Sequence, residues 1–106
     1  MAIPLNLNEN WKFLCPSEVI PEGIPVEVRS NDEKGLILFI PFGIKGLTIK
    51  LINYNYKNNS VKGFYTFHDV NLSNSITFQI QKDAHKWIGF PEGYHTVTSW
   101  EISENC

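Results

Sequence analysis

The chain has 106 residues, 42% hydrophobic and 13% aromatic, with a formal net charge of −2 and a pI near 5.9. That is the composition of a folded globule, so disorder is excluded, and the length suits one domain over residues 1–106 rather than a large buried catalytic cavity with an elaborate cofactor. Pro41, Lys45 and Lys50 interrupt the most apolar region well short of the roughly 18 residues a membrane span requires, and MAIPLNLNENWK has no basic leader followed by an apolar run, so a cytoplasmic protein is expected.

Leu5, Leu7, Trp11 and Phe13 alternate with Asn6, Asn8, Asn10 and Lys12, an extended arm entering a first strand near Trp11 to Cys15 that Pro16 ends. The proline-rich PSEVIPEGIP that follows reads as a loop with a turn around Ser17 to Val19. Ile24, Val26 and Val28 alternate with Pro25, Glu27 and Arg29 in a second strand, with Pro25 placing its start on an edge. A polar turn, Ser30 to Lys34, leads through Gly35 into the most organised stretch of the chain.

Leu36 to Ile40 is apolar throughout and too short for a buried helix, which predicts a strand covered on both faces. In Leu47 to Tyr54, Leu47, Ile49 and Leu51 alternate with Thr48 and Lys50, the period of a half-buried strand. Pro41, Gly43 and Gly46 between them supply a hairpin connection.

Lys57 to Ser60 fits a second hairpin loop, and Val61 to Asp69 a strand in which Gly63 marks a bulge or a close backbone approach. Asp69 to Asn74 reads as a turn. Ile76, Phe78 and Ile80 against Thr77, Gln79 and Gln81 give the cleanest alternation in the chain. Asp83 as a cap, Ala84, Trp87 and Ile88 at helical spacing, and Gly89 as a stop predict a short helix or helical turn near 83–88. Phe90 to Gly93 then forms a loop and Thr96 to Ser103 a last strand. The expected fold is all-β, an antiparallel β-sandwich or small open barrel of about seven strands with that one helical turn.

Charge is uneven along the chain. Residues 1–33 are acidic, the middle carries Lys34, Lys45, Lys50, Lys57, Lys62, Lys82 and Lys86 against Asp69 and Asp83, and Glu92, Glu101 and Glu104 make the end acidic again. This gives opposite-sign faces if the segments stay apart, and averages out if their strands interleave.

No pattern fixes a reaction. His68, His85 and His95 lack metal-ligand spacing, and Cys15 and Cys106 read as free thiols, so no metal or cofactor is expected. A GxSxG elbow and a glycine-rich phosphate loop are both missing. General acid–base work by His68 and His95 with Lys62 or Lys86 would suit RNA cleavage, which makes a small His-dependent RNase the third reading. Tyr54, Tyr56, Lys57, Lys62, Phe64 and Tyr65 faintly suggest nucleic-acid contact, but the low pI and the single arginine argue for a chain that binds none. Trp87, Tyr94 and Trp100 suggest a carbohydrate-binding module, the second reading.

The first reading is a non-catalytic protein-binding domain, an inhibitor or immunity protein whose acidic loops cover a basic, nuclease-type enzyme. Asp32, Glu33, Asp69, Glu92 and Tyr94 are the residues expected to meet that partner, with no membrane contact.

Overall fold

The computed structural model describes residues 11–14, 23–81, 86–93 and 100–104. Nine strands are present: β1 (Trp11–Leu14), β2 (Ile24–Pro25), β3 (Glu27–Asp32), β4 (Gly35–Ile40), β5 (Leu47–Asn55), β6 (Ser60–Phe67), β7 (Leu72–Gln81), β8 (Lys86–Pro91) and β9 (Trp100–Glu104). They form one antiparallel sheet in the order β2-β1-β9-β8-β7-β6-β5-β4-β3. From β3 to β9 each strand pairs with the next, and β9 returns to β1.

The two ends of this sheet, β2 and β3, are separated in sequence by Val26 alone. Val26 is buried and donates its N–H to the Trp11 carbonyl at 3.2 Å. The segment 24–32 therefore runs from one sheet end to the other and nearly closes the sheet into an up-and-down barrel, the arrangement that leaves fewest free strand edges. The single second strand expected over this segment is thus two, and Pro25 does lie at the sheet's end.

Alternation fills the interior. Trp11 and Phe13 from β1, Leu36, Leu38 and Ile40 from β4, Leu47, Ile49 and Leu51 from β5, and Ile76, Phe78 and Ile80 from β7 all point inward and are buried. Tyr65, Phe67, Trp100 and Phe13 pack edge to face, with the Phe13, Tyr65 and Phe67 ring centroids 5.0–5.6 Å from that of Trp100. The outer side of β4 is only half covered: Ile37 and Phe39 are partly exposed, and the Arg29 guanidinium lies 4.4 Å over the Phe39 ring.

The expected helical turn is overturned, and the expected turns over 30–34 and 69–74 are shorter, since residues 30–32 belong to β3 and 72–74 to β7. Residues 86–88 are not helical but open β8, where Trp87 and Gly89 face inward between Lys86, Ile88 and Phe90. Gly89 is not a helix stop: a Cβ there would run into the Phe78 ring, so glycine makes room for an aromatic across the strand pair. The expected loop over 90–93 likewise begins later, since Phe90 and Pro91 belong to β8. Residues 83–85, the expected amino-terminal arm, Cys15, Cys106 and positions 96–99 of the last strand lie outside the described residues.

Candidate functional site

Because successive strands run in opposite directions, the connections alternate between two rims of the barrel. The upper rim carries the β4–β5 turn (41–46), the β6–β7 turn (68–71) and the end of β8. The lower rim carries the β3–β4 turn (33–34) and the β5–β6 turn (56–59).

At the upper rim Asp69 pins the neighbouring turn. Its Oδ2 accepts the Ile44 N–H at 2.8 Å and its Oδ1 accepts the Lys45 N–H at 2.5 Å. Gly43 has φ 76°, and a Cβ there would strike the Asp69 carboxylate, so both conformation and space require glycine. The donated N–H bonds from Ile44 and then Lys45, reinforced by the nearby charge of Lys45, hold the Asp69 carboxyl below its ordinary pKa. The His68 N–H donates to the Gly46 carbonyl at 3.2 Å, one more tie between the two turns, and His68 Nε2 lies 2.7 Å from Thr48 Oγ1 at the start of β5.

This pinned turn displays an apolar side chain. Ile44 is 95% exposed and Val70, in the facing turn, is 69% exposed. Beside them Phe42, Phe67, Asp69, Val70 and Leu72 line an open groove of about 280 Å³. The Phe42 ring centroid lies 5.5 Å from that of Phe67 and 6.1 Å from that of Phe13, which joins this groove to the core aromatics. The upper rim therefore presents two exposed apolar side chains, Ile44 and Val70, on turns joined by carboxylate-to-backbone bonds.

The acidic residues expected to share an interface lie apart. Asp69 and Glu92 are on the upper rim, and Asp32 and Glu33 on the lower. Glu92 is tied down three ways: its N–H donates to the Ser75 carbonyl at 3.0 Å, its Oε2 accepts from Ser75 Oγ at 2.9 Å, and its carbonyl accepts from the Tyr65 hydroxyl. Asp32 Oδ1 accepts the Lys34 N–H at 2.8 Å, closing the β3–β4 turn. Tyr94 lies outside the described residues. Asp32 thus commits a carboxylate oxygen to its own turn, Asp69 to the neighbouring turn and Glu92 to Ser75 of β7.

Of the tryptophans read as sugar platforms, Trp87 and Trp100 are buried in the core. Among the described residues the exposed aromatics are Tyr56, Phe64 and Phe90; Tyr54 packs in part against the core, its ring centroid 4.7 Å from that of Tyr56. An open groove of about 620 Å³ runs along the β5–β6 hairpin, lined by Tyr54, Tyr56, Lys57, Asn58 and Lys62 among others. Sequence reasoning found this hairpin but missed Ile44, because an isoleucine between two glycines reads as part of a core hairpin.

Among the described residues no three His, Cys, Asp or Glu side chains gather as metal ligands would, and no helix is long and apolar enough to cross a membrane. Comparison with protein-family models, with curated proteins and with solved structures finds no match to this chain.

Proposed function

We propose that the protein is a non-enzymatic protein-binding domain of the inhibitor or immunity kind, which masks the active site of a toxin-like, nuclease-type enzyme by inserting its upper rim. The observation that carries this reading is Ile44, 95% exposed at the apex of a turn whose backbone Asp69 holds in place. An apolar anchor held before contact avoids the ordering cost of a mobile loop, and such anchors dominate binding energy. A convex apex also suits the concave cleft of an enzyme. The formal charge of −2 favours approach to a basic partner.

In this reading the acids expected to touch the partner act one step earlier: Asp69 shapes the apex, and Ile44, Val70 and Phe42 make the contact. The test is capture from the native host followed by titration of the captured enzyme's activity. Loss of that activity at one-to-one stoichiometry is expected, with Ile44→Asp and Val70→Asp each weakening capture at least tenfold. An Ile44→Asp protein that captures and inhibits as the parent does would remove the reading.

A further inference from the structure

Between Glu33 and Asp69 the chain contains five lysines and no carboxylate, and residues 70–81 contain no acid either. These residues build β4, β5, β6 and β7, four consecutive strands of the sheet. The charge asymmetry along the sequence therefore does not average out. It becomes one wall of the barrel, while the described acids other than Asp69 sit on β3, β8, β9 and their turns. Cations beyond this wall have acidic neighbours: Arg29 meets Glu27 at 3.1 Å and Lys86 meets Glu101 at 3.7 Å. Lys50 and Lys62 have no carboxylate on their own or adjacent strands.

Aromatic rings share the outer surface with these lysines. Phe64, 53% exposed, is the register partner of Lys50, and it stands two residues from Lys62 on the same side of β6. Phe90, 49% exposed, lies across Thr77 from Lys62, about 10 Å away at ordinary strand spacing. Tyr56 and Lys57 continue the series at the hairpin tip, beside the groove that also includes Lys62. Cations and exposed rings thus alternate over a surface whose strands β4 to β7 carry no acid, with the Glu92 carboxylate reaching its border at Ser75, the register partner of Phe64.

We propose that this wall binds single-stranded nucleic acid, with bases stacked on Phe64, Tyr56 and Phe90 and phosphates paired to Lys50, Lys57 and Lys62. Unpaired bases present flat faces to rings, and the phosphate chain supplies the negative charge that the wall lacks. An acidic protein would match the lysines but leave the rings without stacking partners. Whole-chain pI, which argues against such a ligand, also counts acids away from these four strands, such as Glu27 and Asp32 on β3 and Glu101 on β9. The inference goes beyond the protein-binding reading and uses none of Ile44, Val70 or Phe42, so either can fail alone.

The experiment is fluorescence anisotropy of labelled oligothymidylate and oligouridylate with the full chain, over a range of salt. Saturable binding is expected, weakened at least tenfold by the double variant Lys50→Glu/Lys62→Glu and roughly tenfold by Phe64→Ala. Neutralising each lysine as Lys→Gln should lower the salt slope by about 0.7. Lys12→Glu, the same substitution at one position on β1, should leave binding as it is, whereas Lys50→Glu or Lys62→Glu alone should weaken it. The substituted lysines of the wall are exposed and Phe64 is 53% exposed, so folding should be retained, which near-ultraviolet circular dichroism checks. Absence of saturable binding overturns the proposal. So does equal weakening by Lys12→Glu, or displacement by heparin with no effect of Phe64→Ala, since either marks a plain polyanion effect.

Discussion

Both oxygens of Asp69 accept backbone N–H groups from the facing turn, and it is the ionised form that accepts them well. Its folded-state pKa lies below the ordinary aspartate value of 3.8. The carboxylate's contribution to stability is therefore full above that ordinary value and is lost as pH falls through the lower, folded-state one. Urea midpoints of the parent should exceed those of Asp69→Ala at neutral pH, with the gap closing below about pH 3.8. A gap that stays constant down to pH 2 would show that Asp69 acts through packing alone. Amide exchange gives the local readout: Ile44 and Lys45 N–H groups should lose protection in Asp69→Ala while those of β7 keep theirs.

At the scale of elements, glycine decides how closely strands approach. Gly63 pairs with Leu51 where the β5–β6 register shifts, and a Cβ there would run into the Lys50 carbonyl and the Leu51 Cα. Gly63→Ala should therefore cost about 3 kcal/mol or more in urea unfolding, well beyond a surface substitution, because backbone must move. A cost within 0.5 kcal/mol of zero would contradict the close approach. This role was legible in the sequence, since a glycine amid Val61, Phe64 and Tyr65 has few other reasons to be there. So was the inward face of β7, where Ile76, Phe78 and Ile80 repeat at period two. Residues 86–88 misled because Trp87, Ile88 and Gly89 fit a helical ending as well as a strand, and only the Phe78 ring across the sheet separates the two. Short apolar runs carry no periodicity long enough to settle such cases.

At the scale of the whole molecule, strand order is what no local pattern encodes. Nothing around Val26 announces that the chain passes there from one end of the sheet to the other, since that depends on the Trp11 carbonyl far away in sequence. The same order turns a charge asymmetry that was plain in the sequence into a basic wall, and it sets Asp32 and Glu33 on the rim opposite Asp69 and Glu92. Of the candidate partner residues chosen for charge, Glu33, Asp69 and Glu92 lie in turns while Asp32 ends β3, and they are split between two ends. The apolar apex stayed hidden, because exposure of Ile44 follows from the Asp69 bonds rather than from its neighbours in sequence.

Central to this account is that a carboxylate makes one turn into a preformed binding apex. The most direct measurement is the dissociation rate of the captured partner from the parent, from Asp69→Ala and from Ile44→Asp, by surface plasmon resonance at neutral pH. Preformation predicts that Asp69→Ala releases the partner several-fold faster although every apolar contact residue is intact, and that Ile44→Asp releases it faster still. Identical dissociation from all three proteins would contradict it.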